Sequence, residues 1–130
     1  MIVVDASVVV AAIADDGSDG ARARSRLVGE QLLAPHLIDI EVLSAWRRLT
    51  ATGHLGEARA RQAVGDLQQM RIRRVAHQLL LERCWQLRSN LSSYDSAYVA
   101  LAEQAGVVLV TADRKFAKAP GTNCTIEVLA

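Results

Sequence analysis

A chain of 130 residues, 51% hydrophobic and 22% charged, has the size and make-up of one globular domain and not of a disordered tail. No apolar run approaches the roughly 18–20 residues of a membrane span. Asp5 interrupts the amino-terminal run and no basic region precedes it, which argues against a signal peptide and leaves the cytoplasm as the expected location. The net charge of +1 neither favours nor excludes nucleic acid, and the excess of arginine over lysine is better explained by genomic base composition than by function.

The chain opens on Ile2-Val3-Val4, an apolar run that reads as a strand buried on both faces, followed at once by Asp5. Ala6 to Ala14 suits a helix. Ligands of open α/β sheets bind outside the carboxyl ends of the strands, so Asp5 stands where chemistry is expected. Asp15 to Gly20 is a polar break, and a second helix is expected from about Ala21 to Gln31, with Leu27, Val28, Leu32 and Leu33 on its apolar side. Leu32-Leu33-Ala34 could instead form a very short strand. Pro35 fits the start of a helix running to about Thr52, capped by Gly53, with Ile38, Val42, Ala45, Trp46 and Leu49 facing the core. Glu41 adjoins that stripe, and a lone glutamate there is ordinarily solvated. Arg47 and Arg48 read as a solvated face or a phosphate contact.

Glu57 to about Gln69 is a further amphipathic helix, and residues 71–75 an edge strand protected by its arginines. His77 to about Asn90 is expected to be helical, burying Leu80, Leu81, Cys84, Leu87 and Leu91. Ser92 and Asp95 have the spacing of a capping box, which by itself would account for Asp95 without any metal. Gly106 ends that helix. Val107 to Val110 is a second all-apolar strand that delivers Thr111-Ala112-Asp113, repeating the first strand's pattern of apolar run then carboxylate. Residues 114–118 form a short helix and 125–129 a last strand. Strands alternating with helices give an α/β domain with a central parallel sheet, residues 1–130 forming one domain. If the first strand neighbours the strand at 107–110, their ends lie about 5 Å apart and Asp5 and Asp113 share one crevice. Cys84 and Cys124 are too few and too far apart for a zinc site or a disulfide framework.

Val4-Asp5-Ala6-Ser7, Pro35 followed by Glu41, Tyr94-Asp95, and Val110-Thr111-Ala112-Asp113-Arg114-Lys115-Phe116 together resemble the PIN domain. More narrowly they resemble the VapC toxins of bacterial type II toxin–antitoxin pairs. The resemblance covers the whole chain in order. It implies a three-layer sandwich with strand order 3-2-1-4-5 and a magnesium-dependent endoribonuclease, with manganese a plausible substitute. It places Asp5, Glu41, Asp95 and Asp113 in an acidic site, with Ser7 and Thr111 as supporting hydroxyls, and it implies a homodimer and a small VapB-like antitoxin.

The chemistry suits that quartet. Crowded carboxylates repel one another unless protons or cations offset them, and magnesium is a hard ion that takes oxygen ligands. Asp5 and Asp95 are the expected direct metal ligands, with Asp113 joining them or holding a second ion, Glu41 binding through water or orienting the nucleophile, and Arg114 and Lys115 the candidate contacts to RNA phosphates. Of five aromatic residues most are expected in the core, which favours selection of RNA by shape over base stacking. The competing readings are a catalytically silent binding protein of the same fold, a nuclease of RNA maturation or DNA, and a receiver-like phosphoacceptor domain.

Overall fold

The computed structural model describes residues 1–129. Its elements run β1 (Ile2–Val4), α1 (Ala6–Ala14), α2 (Ser18–Leu27), β2 (Leu32–Pro35), α3 (Ile38–Ala51), α4 (Glu57–Gln69), β3 (Ile72–Val75), α5 (Leu81–Gln86), α6 (Ser93–Ala105), β4 (Leu109–Thr111) and β5 (Ile126–Val128). One-turn 3-10 segments, His77–Leu80 and Arg114–Lys118, precede α5 and follow β4. The five strands form one parallel sheet in the order β3-β2-β1-β4-β5, the order that the resemblance implies. A receiver-like domain would order its strands 2-1-3-4-5, so that reading falls.

Topology explains where the site must be. From β1 the chain steps to β2 and then β3 on one side, and it returns to add β4 and β5 on the other. Right-handed crossovers therefore put α1 to α4 on one face and α5 and α6 on the opposite face. The packing agrees, with α1 against α2, α3 and α4, and α5 against α6. Strand order reverses between β1 and β4, and a crevice opens at such a switch point. Val3 pairs with Leu109 and Val4 with Val110, so Asp5 and the β4 exit leave the sheet side by side.

β1 is buried throughout because it lies in the middle of a sheet covered on both faces. Val3, Val4, Val8, Val9, Ile38, Val42, Val99 and Leu109 are fully buried around it. The expected edge strand at 71–75 forms as β3, with Ile72 buried and Arg73 exposed.

Three expectations need correction. Pro35 does not start a helix. It is the last residue of β2, beyond the end of β1, where a missing N–H breaks no ladder, and His36 N–H takes the Val75 carbonyl at 2.9 Å. The second helix lies earlier than expected, at Ser18–Leu27. Gly20 therefore falls inside it, against α1, where a Cβ would stand 1.8 Å from the Asp15 carbonyl oxygen, and Val28 is exposed. The single helix expected over 77–90 is a 3-10 turn followed by the short α5. Leu80 and Leu87 are buried, but Leu81 is exposed.

Candidate active site

Asp5 reaches its position through backbone geometry. Its N–H bonds the Val110 carbonyl at 3.3 Å, and its extended backbone makes it the N-cap of α1, Oδ1 accepting the Val8 N–H at 3.2 Å. Capping alone would explain an aspartate here. It does not explain the two hydroxyls that converge on it. Ser7 Oγ donates to Oδ1 and Thr111 Oγ1 donates to Oδ2, both at 2.5 Å. Each hydroxyl oxygen also accepts a backbone N–H from the β4 exit, Ala112 to Ser7 at 2.9 Å and Asp113 to Thr111 at 3.0 Å. Those amides occupy the hydroxyl lone pairs and turn both protons toward Asp5, fixing the rotamer of a carboxylate that is only 4% exposed.

The other acids arrive from three directions. Glu41 lies in the first turn of α3, on the face of the sheet opposite α6, and accepts the Tyr98 hydroxyl at 2.6 Å. Asp95 lies in the first turn of α6. Ser92 Oγ accepts its backbone N–H at 3.1 Å, which is half of a capping box. The returning bond from the Asp95 carboxylate is absent among the described residues, so that side chain stays free for the crevice. Asp113 comes just after β4 and caps the next turn through the Lys115 N–H at 2.9 Å. All four acids line one cavity of about 390 Å³ with Ser7, Arg48, Tyr98 and Phe116.

Electrostatics tie them together. Burial pushes the Asp5 carboxyl above its usual range, against the lowering bonds from Ser7, Thr111 and Val8, and the Asp95 charge pushes the same way. Burial also raises Glu41, with the Tyr98 bond opposing and the charges of Asp95 and Asp5 adding. Asp95 is raised by burial and by Asp113, with Ser92 and Lys115 opposing. These acids thus disfavour one another's charge, and three of them hold their protons longer than free carboxylates.

The donor set suits a hard divalent cation. Every acidic group is oxygen-bearing, and no histidine or cysteine lines the cavity. Among the described residues no three acid, histidine or cysteine side chains close into a ready-made cage.

Arg114 and Lys115 are both exposed and neither lines the cavity, but Lys115 is near enough to Asp95 to favour its charge. Arg48 lines the crevice, while Arg47 lines a separate groove between α3 and α4. Tyr98 is hard to single out in the sequence, where it passes for a core residue. The available signal is its place three residues after Asp95, on the same helical face. Phe116, Trp46 and Tyr98 are buried as expected, but Trp85 and Tyr94 are exposed.

The chain matches the family model described as "PIN domain" over residues 2–121. It is 42% identical over 129 residues to Ribonuclease VapC9 of Mycobacterium tuberculosis, covering 99% of this chain and 98% of that one. Among solved structures it resembles Mycobacterium tuberculosis VapC20, described as a sarcin-ricin loop cleaving toxin, with a TM-score of 0.72 at 17% identity over 95% and 97% of the two chains. It also resembles the DNA-bound VapBC of Salmonella typhimurium, with a TM-score of 0.71 at 15% identity over 99% and 98%. These two likenesses bear on the fold. Sequence match and architecture agree that this chain belongs to the PIN domain family, within its VapC branch.

Proposed function

We propose that this protein is a magnesium-dependent endoribonuclease that serves as the toxin of a type II toxin–antitoxin pair, cleaving RNA by attack of water on a phosphodiester. The observation that carries the reading is the convergence of Asp5, Glu41, Asp95 and Asp113, from β1, α3, α6 and the β4 exit, on one crevice. The ribonuclease names of its relatives support it. The VapBC complex among its structural neighbours supports a VapB-like antitoxin, and a homodimer belongs to the same reading.

Asp5, Asp95 and Asp113 would hold the cation, with manganese an acceptable substitute. When bound, such an ion supplies Lewis-acid polarisation of a phosphoryl oxygen and lowers the pKa of water. The chain's own residues do the rest. Ser7 and Thr111 hold the Asp5 carboxylate in one rotamer. Glu41 faces the crevice and orients the attacking water. Lys115 lies beside the acids and grips a substrate phosphate, with Arg114 in a lesser role, so that RNA can approach a pocket of net negative charge. Three of the five aromatic residues are buried, which favours recognition by RNA shape over base stacking. VapC20, which shares the fold, is described as a sarcin-ricin loop cleaving toxin.

The test is incubation of purified protein with structured RNA in magnesium and in EDTA. Cleavage is expected with magnesium, none with EDTA, and recovery with manganese. Cleavage unaffected by EDTA would remove the metal, and no cleavage of any RNA under any ion would leave a binding protein of this fold.

A further inference from the structure

Glu41 stands apart from its three partners. It lies on a helix flank with three rotatable bonds, and no arginine or lysine pairs with it among the described residues. Its one side-chain hydrogen bond comes from Tyr98, 57 residues away, whose hydroxyl donates to Oε1 at 2.6 Å. Tyr98 is 1% exposed and held by the best-buried stretch of the chain, Ser96 to Ala102 on α6. The ring therefore has no freedom to move with a swinging glutamate. It is the fixed partner, and Glu41 the guided one.

We propose that Tyr98 is a positioning residue for Glu41: its hydroxyl occupies Oε1 and holds the side chain over the crevice, so that Oε2 alone is presented to the reacting water. The inference rests on the nuclease reading for the role of Glu41, but its geometric half does not. The same bond ties α3 to α6, which lie on opposite faces of the sheet.

Tyr98→Phe removes one oxygen and keeps the packing, so the fold is expected to hold, and a thermal melt checks it. Hydrogen bonds to charged groups are strong enough that their loss corresponds to about a tenfold effect or more. With magnesium and an RNA substrate, Tyr98→Phe is expected to lower kcat by about tenfold with KM little changed. Added to Glu41→Ala, it is expected to do nothing further, because the residue it acts through is gone. The crystal structure of Tyr98→Phe should show the Glu41 carboxylate turned out of the crevice or spread over several rotamers. Equal losses in the wild-type and Glu41→Ala backgrounds, or an unmoved Glu41 in the variant crystal, would overturn the proposal. If the wild-type protein cleaves no RNA, the nuclease reading fails while the crystal still decides whether Tyr98 positions Glu41.

Discussion

The acids of this protein live in two kinds of surroundings. Away from the crevice, arginines hold several of them. Arg74 grips Asp39 through two nitrogens at 2.7 and 2.8 Å, and Arg83 grips Glu103 at 2.7 and 3.1 Å. Arg26 bridges Glu127 and Glu30. The Arg26 bond draws Glu30 below the usual carboxylate range, and at Glu103 the bonds from Arg83 and the Asn123 N–H outweigh the opposing effect of burial. In the crevice the pattern is reversed: Asp5, Glu41, Asp95 and Asp113 make no ion pair among the described residues, and the first three are shifted upward. A shortage of arginine is not the reason. Arg48 lines the same cavity and forms no ion pair with any of them. Four acids gathered in one crevice without an ion pair among the described residues are what the proposed cation would offset.

The sharpest way to break this contrast is to remove a charge from each region. Asp95→Asn should lower RNA cleavage by roughly 100-fold or more while leaving the far-ultraviolet circular dichroism unchanged. Arg74→Ala should do the opposite. It should cost about 1–2 kcal/mol in denaturant unfolding, discounted for partial exposure, and leave cleavage as it was. Cleavage retained in Asp95→Asn, or lost in Arg74→Ala, would erase the distinction.

The two regions should also respond to pH with opposite signs. Asp5, Glu41 and Asp95 titrate above their unfolded values of 3.8 and 4.5, so between those values and the raised ones the folded state binds more protons. Stability of the metal-free protein is then fullest at the acid end of this window and falls as pH climbs through it. Glu30 and Glu103 titrate below their unfolded value of 4.5, and their contribution is present above that value and lost as pH drops. Denaturant midpoints taken across pH should show Asp95→Asn flattening the fall and Glu103→Gln removing the acid-side rise. Saturating magnesium should abolish the fall in the wild type, since an ion bound only by the folded state offsets the repulsion.

The smallest expected effect lies at the rim. Lys115→Ala should raise KM for RNA a few-fold and reduce the salt slope by about one, and Arg114→Ala should do less because only Lys115 is near enough to Asp95 to act on its charge. An equal effect of the two would place substrate on a different path.

Much of this site could be read from the chain because its two central acids lie just past the two most apolar strands. Val3-Val4 and Leu109-Val110 announce buried parallel strands, and the carboxyl ends of such strands open onto the ligand crevice. The reading failed where tertiary packing overrode local preference. Pro35 looks like a helix opener, yet it ends a strand because β1 stops short of it. Gly20 looks like loop punctuation, yet it lies within α2 because only a glycine fits against the Asp15 carbonyl. Asp95 carried two readings, cap and ligand, and the structure assigns the cap to Ser92 and leaves the carboxylate unspent. Tyr98 was hidden for the opposite reason. Its ring belongs to the core, and only the position of one oxygen shows that it also belongs to the site.

The most direct test is anomalous diffraction from a crystal of this protein soaked in manganese. A peak is expected in the crevice within coordinating reach of Asp5 and Asp95, lost in crystals of Asp95→Asn. A crevice with no peak, in a crystal where manganese is seen elsewhere on the same molecule, would contradict the assignment of these acids to a metal.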